Sequence, residues 1–145
     1  MPAPDAPASD PGARAPDPNV LLDLMPLART LGASFSRYDK DEVRARLEWA
    51  PGLCTVNGLL HGGAVMALAD STGGACAFLN LPEYAQGTTT VESKTNFLRG
   101  VREGSIEAVS RPLHVGRTVV VIETDVRDDN DRLVARVTQT QLVLT

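Results

Sequence analysis

The sequence is almost without charge over its central stretch. Between Leu53 and Pro82 the only Asp, Glu, Lys or Arg is Asp70. The segment 57–80 is typical of an apolar helix entered through a glycine-rich turn, and so little charge predicts that this helix is buried on most sides. A lone carboxylate there is costly unless it is hydrogen-bonded, ion-paired or used in chemistry. Asp70 is therefore the first candidate functional residue.

Other scarcities exclude whole classes of function. A net charge of −4 and 4% aromatic residues provide neither the basic stripe nor the stacking platform of a nucleic-acid-binding protein. Cys54, Cys76, His61 and His114 are not spaced as metal ligands, so we expect no metal site. No uninterrupted apolar run reaches the roughly 20 residues of a membrane span. The beginning of the chain lacks a basic-then-apolar secretory signal, so we expect a reducing, cytoplasmic location.

The chain divides into a tail and one domain. Residues 1–18 are rich in Pro, Ala and Asp and predict a disordered tail, whereas residues 19–145 are enough for one domain with a sizeable core. We expect Asn19 to cap a short helix that Gly32 ends. Strands over residues 34–38 and 42–49 follow, and a loop over residues 51–60 leads into the central helix, which ends before Pro82.

Four β-rich runs complete the chain. They cover residues 88–98, 104–114, 117–127 and 132–144, and short polar or glycine-containing turns separate them. No helical pattern lies between them, which predicts antiparallel hairpins rather than a parallel sheet. The fold class is therefore α+β, with one long central helix wrapped by a twisted antiparallel sheet.

The central helix has two distinct faces. One should pack on its own subunit and carries Val65, Leu68, Ala69, Thr72, Cys76 and Leu79. The other holds Asp70 among Gly63, Met66, Ala67, Gly73, Gly74 and Ala77, where small residues allow another backbone, a second subunit or a ligand to approach. One sheet leaves this second face open, which predicts at least a dimer. The alternative is an ordinary helix–helix contact with a hydrogen-bonded Asp70.

The motif GLLHGGAVMALADSTGG, supported by TTTVESKTNFLRGV, HVGRT and DRLVARVTQT, resembles the hotdog-fold acyl-CoA thioesterases over residues 19–145. The branch that it resembles most is the PaaI-like thioesterases of phenylacetic acid catabolism. This resemblance implies a hotdog fold and hydrolysis of a small, medium or aryl acyl-CoA, such as phenylacetyl-CoA, without a cofactor. It also implies a homodimer, and a homotetramer as a dimer of dimers.

The resemblance assigns catalytic roles around the start of the helix. The Gly62 N–H would polarise the thioester carbonyl beside Gly63, and His61 would either position this turn or simply cap the helix. Asp70 would act as general base or nucleophile, and Thr90 would orient it or be an ordinary strand residue. Asp70 follows Gly62 by eight residues, which is about 12 Å of helical rise, so the two would act on one carbonyl only across a dimer.

The resemblance also implies substrate contacts. Arg99 and the segment Gly116, Arg117 and Thr118 would bind coenzyme A, and the alternative, which is favoured for Arg99, is that they are hairpin turns with solvated charges. An apolar acyl pocket would be lined by Leu59, Leu60, Met66 and Phe97. The family often has an Asn six residues before the His, where this chain has Thr55. Either Asn57 takes that role through a shifted loop or Thr55 contributes a weaker hydroxyl, and Asn57 could equally be a plain turn residue.

Two other functions fit the same fold. A dehydratase or hydratase acting on acyl thioesters would need a catalytic histidine with a carboxylate across the interface, a role that His61 at the helix entry fits poorly. A non-catalytic acyl-CoA-binding module is the second alternative, because a fold alone does not establish an activity.

Overall fold

The structure is a computed structural model that describes residues 17–145. The predicted tail lies outside the described residues except for Asp17 and Pro18, which begin the first helical turn. After the 3₁₀ turn Pro18–Val20, the elements in chain order are α1 (Leu21–Leu24), α2 (Pro26–Leu31), β1 (Ser34–Tyr38), β2 (Val43–Glu48), the 3₁₀ turns Pro51–Leu53 and Val56–Gly58, α3 (Gly62–Leu79), β3 (Gly87–Phe97), β4 (Ser105–Val115), β5 (Val119–Asp128) and β6 (Leu133–Leu144).

The six strands form one antiparallel sheet in the order β1-β2-β4-β5-β6-β3, and α3 packs against its inner face. This is the predicted α+β hotdog architecture, and every predicted strand is present within two residues at each end. One expectation is wrong: β3 and β4 are consecutive but do not form a hairpin, because β3 pairs with β6 and β4 pairs with β2 and β5. The polar β3 occupies a sheet edge, whereas the apolar β4 is buried in the middle.

The short N-terminal helix differs from its prediction. Asp17, not Asn19, is the cap, and its side chain accepts a hydrogen bond from the Asn19 N–H. The Asn19 side chain instead accepts from the Phe35 N–H at 2.8 Å, which ties this region to β1. Pro26 divides the predicted helix into α1 and α2, since proline cannot donate the bond that would continue it. Gly32 ends α2 in the left-handed conformation, as predicted.

The face of α3 that was expected to pack on its own subunit is buried, apart from the half-buried Leu79. The opposite face is less open than expected, because Gly73 and Ala77 are also buried within the chain. The reason lies on β6: a Cβ atom on Gly73 would lie 1.8 Å from Oε1 of Gln139. The lack of a side chain at Gly73 therefore leaves room for Gln139 of the same subunit's sheet, while Met66 and Asp70 stay exposed.

A buried carboxylate joins β1, β2 and β4. The Glu42 side chain is only 6% exposed and pairs with Arg37 at 3.0 Å, and also with Arg44 and Arg111. Burial raises the pKa of Glu42, but the hydrogen bond from Arg44 and the charges of the three arginines outweigh it and hold that pKa below its ordinary value. Ionised Glu42 therefore stabilises the fold.

We expect Glu42→Gln to lower the free energy of unfolding by about 1–3 kcal/mol at pH 7, the range for hydrogen bonds to charged groups. Because the folded pKa is depressed, this contribution is present above the ordinary value of 4.5 and is lost as pH falls through the folded pKa. Urea unfolding at pH 7 and pH 3 measures it. Glu48→Gln is the matched control, since Glu48 is 68% exposed and pairs with Arg46 at the surface. An equal loss at both pH values would contradict the assignment.

Candidate functional site

Asp70 lies on the outward side of α3 and is held by two neutral donors. Its Oδ1 atom accepts a hydrogen bond from Thr90 Oγ1 at 3.2 Å and from Gln139 Nε2 at 2.5 Å. Within residues 17–145, Oδ2 accepts no hydrogen bond and Asp70 has no ion pair. The carboxylate is therefore fixed through one oxygen while the other remains available.

A chain of hydrogen bonds continues from this carboxylate along β6. Gln141 Nε2 donates to Thr90 Oγ1 at 2.7 Å, so the Thr90 hydroxyl hydrogen is left to point at Asp70. Thr88 Oγ1 lies 3.3 Å from Gln141 Oε1, and its single hydroxyl hydrogen has a shorter bond available to the Leu142 carbonyl at 2.9 Å. The structure thus brings Thr90 to Asp70, as the resemblance implied.

Gln139 and Gln141 are site residues that the sequence interpretation missed. Both side chains are buried, at 0% and 1% exposure. A signal was present, because in β6 they occupy the same inward-facing register as Val137 and Val143. Two glutamines at core-facing positions of a strand indicate that polar side chains are directed at α3.

The candidate site has a second centre, besides Asp70, at the start of α3. His61 is the N-cap, and its Nδ1 accepts a hydrogen bond from the Gly63 N–H at 2.7 Å. Of the two roles expected for His61, positioning the turn or capping the helix, this hydrogen bond is the capping one. The Gly62 N–H has no hydrogen-bond partner in the described part of the chain. The Phe97 ring lies directly beside it, since a Cβ on Gly62 would be 3.1 Å from the ring. A free donor at the positive end of the helix dipole therefore sits next to an exposed aromatic ring.

The loop before this helix is a tight turn. Thr55 N–H donates to the Leu59 carbonyl at 2.7 Å, and Asn57 adopts a left-handed backbone with φ 60°. The Asn57 carbonyl accepts a hydrogen bond from Arg102. Neither the Asn57 nor the Thr55 side chain hydrogen-bonds to another described residue. Asn57 thus has a turn-forming role, and a catalytic role for either residue stays a prediction.

The proposed coenzyme A contacts lie far apart within one chain. The Arg99 N–H donates to the carbonyl of Val134, whereas the Thr118 carbonyl accepts from the N–H of Val143. Nine residues of β6 separate these two contacts, which is about 30 Å of extended strand. Arg99 therefore lies at the Gly62 end of the molecule and Thr118 at the Asp70 end, so one chain does not bring them to one ligand.

The segment 116–118 forms the turn between β4 and β5. The Gly116 N–H donates to the Val119 carbonyl at 2.9 Å, and Tyr84 Oη donates to the Arg117 carbonyl at 2.8 Å. Arg117 and Thr118 are exposed. The backbone of this segment is thus fixed by its neighbours, and its contact with coenzyme A stays a prediction.

An apolar cavity of about 700 Å³ opens beside Asp70. Residues from α1, α2, the second half of α3 and the beginning of β3 line it, among them Leu21, Leu24, Met25, Leu27, Gly74, Ala75, Phe78 and Thr90. A Cβ on Gly74 would meet no atom within 4 Å, so this glycine faces open space. The cavity is large enough for a substrate group, and Asp70 is among the residues that line it.

The four residues expected to form an acyl pocket do not line this cavity. Leu60 is buried in the core, Leu59 packs on Gly100, Met66 is exposed and Phe97 lies against Gly62. They precede α3 or lie at its first half, whereas the cavity is beside its second half under α1 and α2. The pocket next to Asp70 is therefore built by different residues, and a part for the expected four in substrate binding stays a prediction.

The two cysteines lack the features of a nucleophile. Burial, with smaller effects from the charges of Asp39 and Glu42, raises the pKa of Cys76 to about 12, so it stays a thiol. Cys54 donates to the Ala50 carbonyl at 3.3 Å. Among the residues described, no three His, Cys, Asp or Glu side chains cluster as metal ligands, and no helix is long and apolar enough to cross a membrane.

Comparison with known proteins gives a consistent result. The family model described as the thioesterase superfamily matches residues 57–135. Rv1847 of Mycobacterium tuberculosis, named as a candidate esterase, is 31% identical over 138 residues, which cover 94% of this chain and 91% of Rv1847. Its solved structure superposes with a TM-score of 0.80, covering 83% of this chain and 97% of that one.

Two proteins of Escherichia coli add to this comparison. The 1,4-dihydroxy-2-naphthoyl-CoA hydrolase is 38% identical over 76 residues, which are 52% of this chain and 55% of that protein. The PaaI protein of the phenylacetic acid degradation operon has the same fold, with a TM-score of 0.80 at 15% identity over 89% of this chain and 91% of that one. The resemblance seen in the sequence is confirmed: the chain belongs to the thioesterase superfamily and has the hotdog fold.

Proposed function

We propose that this protein is an acyl-CoA thioesterase whose active site is shared between two subunits. Asp70 of one subunit and the Gly62 N–H of the other act on the same thioester. The observation that carries the proposal is the state of Asp70: two neutral donors hold one carboxylate oxygen, the second accepts no hydrogen bond within residues 17–145, and Asp70 lines an apolar cavity. A homotetramer and a cytoplasmic location remain predictions.

The chemistry follows from these two groups. The Gly62 N–H donates to the thioester oxygen and stabilises the negative charge that develops there. Asp70 Oδ2 either removes a proton from the water that attacks the carbonyl carbon, or attacks that carbon itself to form an anhydride that water then cleaves. In both routes the carbon–sulfur bond breaks, water supplies the acid oxygen and coenzyme A leaves as its thiol.

The edge strand β3 supports a dimer. It is 11 residues long and mostly exposed, and within the described range it pairs on one side only, with β6. An unprotected edge of this length favours pairing with another strand. Antiparallel pairing of two β3 strands brings Thr90 of one subunit next to Phe97 of the other when the twofold axis lies near Ser93 and Lys94. Because Thr90 contacts Asp70 and Phe97 contacts Gly62, this register joins the two centres.

The same register brings the two coenzyme A candidates together. Arg99 lies at the Gly62 end of one subunit, and the segment 116–118 lies at the Asp70 end of the other. Their separation within one chain is therefore an argument for shared sites. Coenzyme A phosphates would meet an arginine from one subunit and a glycine-containing turn from the other.

The cavity beside Asp70 supports a medium or aryl acyl group. Its apolar lining from α1 and α2 suits a hydrophobic acid, and its volume exceeds what an acetyl group needs. The related E. coli hydrolase is named for an aromatic CoA thioester, so aryl acids, including phenylacetyl-CoA, belong in the substrate panel. A hydratase is less compatible, because a neutral His61 whose Nδ1 accepts the Gly63 N–H carries its hydrogen on Nε2, which then does not accept a proton from a substrate.

Replacing Gly62 tests the backbone donor. Gly62→Pro removes the N–H at the first helical position, where proline is well tolerated, and the extended backbone of His61 suits a following proline. We expect kcat to fall about 10²–10³-fold, the usual effect of losing one such donor. Gly62→Ala is the matched control, because it keeps the N–H and presents the same Cβ to the Phe97 ring. Equal activity of the two variants, measured by thiol release, would contradict the role.

Mixing two inactive variants tests the shared site. Asp70→Asn should abolish turnover without unfolding, and so should Gly62→Pro. If the subunits assort randomly, co-refolding the two variants in equal amounts makes half of the dimers heterodimers, and each heterodimer has one intact site out of two. About a quarter of wild-type activity should therefore return. Refolding each variant alone is the control. No recovery despite demonstrated heterodimers would refute a site built from two subunits.

Filling the cavity tests where the acyl group binds. Gly74 lines the cavity one turn beyond Asp70 and a Cβ there meets no atom within 4 Å, so we expect Gly74→Leu to place its side chain in the cavity. We expect kcat/KM for octanoyl-CoA and phenylacetyl-CoA to fall at least tenfold, while acetyl-CoA is hydrolysed as before. Gly74→Ala controls for the loss of a helix glycine. A uniform effect on all chain lengths would place the acyl group elsewhere.

A further inference from the structure

Gln139 combines two features that are unusual in a protein core. Its amide is fully buried on the inner face of β6, and Nε2 donates to Asp70 Oδ1 at 2.5 Å. Its Oε1 is buried without any hydrogen-bond partner within residues 17–145. An unpaired buried carbonyl costs free energy, so an apolar side chain of the same size would stabilise the core better.

Gly73 has a matching peculiarity. It lies in the interior of α3, where glycine is less favourable than alanine, and it is buried. A Cβ there would be 1.8 Å from Gln139 Oε1 and 3.0 Å from Gln139 Cδ. Any side chain at position 73 would therefore displace the amide from Asp70. The helix glycine and the unpaired carbonyl both lower the stability of the fold, and both accompany the same hydrogen bond between Gln139 and Asp70.

The contact also fixes the direction of the amide. An ionised carboxylate only accepts hydrogen bonds, so the amide must present its NH₂ group to Asp70 and turn its oxygen toward Gly73. Thr90 donates to the same oxygen at 3.2 Å, so the hydrogen bond from the Gln139 amide is the shorter of the two. Two donors on Oδ1 restrict the rotation of the carboxylate and leave Oδ2 without a hydrogen bond in the described part of the chain.

We infer that Gln139 is a positioning residue that orients Asp70 for reaction, and that Gly73 is glycine so that this amide can reach it. The inference rests on the proposed function, because it takes Asp70 as the reacting carboxylate. Gln139 itself does not touch the substrate.

Two substitutions at position 139 separate this role from a structural one. Gln139→Leu removes the donor together with the unpaired carbonyl, and Gln139→Glu keeps the shape but replaces the NH₂ group. We expect kcat to fall at least tenfold in both, with KM within twofold of wild type. The melting temperature of Gln139→Leu should stay level or rise, because a buried unpaired polar atom is gone. A structural amide would show the reverse, a lower melting temperature with unchanged kcat, and that result overturns the inference.

Two further variants complete the design. Gly73→Ala keeps Gln139 but pushes it aside, so kcat should fall as it does in Gln139→Leu. Ser110→Ala is the control, because Ser110 is a buried hydroxyl that pairs with Thr124 at 2.7 Å and has no hydrogen bond to Asp70. It should alter stability without altering kcat. If Gly73→Ala had the kcat of the wild type, the inference that Gly73 is glycine to let Gln139 reach Asp70 would be overturned.

A measurement independent of turnover tests the contact itself. In ¹⁵N-glutamine-labelled protein, the side-chain NH₂ resonances of Gln139 should shift upfield in Asp70→Asn and in Gly73→Ala, and should stay in place in Ser110→Ala. Unmoved resonances in the first two variants overturn the inference. If the wild type releases no thiol from any acyl-CoA tested, the proposed function fails and the positioning role with it. An active wild type with an equally active Gln139→Leu overturns the positioning role alone.

Discussion

The close approach of α3 to β6 is the constraint on which the candidate site depends. A helix with one charged residue packs its small-residue positions against a strand, and at Gly73 the gap is narrow enough that only a hydrogen atom fits beside Gln139. This approach brings Asp70 within hydrogen-bonding distance of β6. A side chain at position 73 would displace the Gln139 amide, so the packing of α3 on β6 and the orientation of the Asp70 carboxylate depend on the same position.

The rigidity of α3 is also the reason why the proposed active site needs two subunits. The free N–H at Gly62 and the carboxylate of Asp70 are about 12 Å apart along the helix, and helical geometry does not allow them to approach. Two parts of the edge strand contact α3, Phe97 at its start and Thr90 at its middle, beside Asp70. A twofold partner would supply the missing group at each of these positions with no change in either subunit.

The sequence predicted the features that depend on local spacing. Strand alternation, the helix, the cap at His61 and the isolated charge of Asp70 all follow from residues near each other in the chain. What it missed depends on contacts between distant segments. Gln139 and Asp70 are 69 residues apart, and the cavity forms because α1 and α2 lie over the second half of α3. The pairing of β3 with β6 instead of β4 was missed for the same reason.

The charges of the chain are distributed so that Asp70 keeps its negative charge available. On β2, Arg44 and Arg46 alternate with buried apolar residues and so lie on the opposite face of the sheet, where they pair with acidic side chains. An arginine beside Asp70 would neutralise it and occupy both oxygens, as carboxylate–guanidinium pairs do. Neutral donors from Thr90 and Gln139 instead orient the group through one oxygen only. Within residues 17–145, the Asp70 carboxylate is thus held in place without being neutralised by an ion pair.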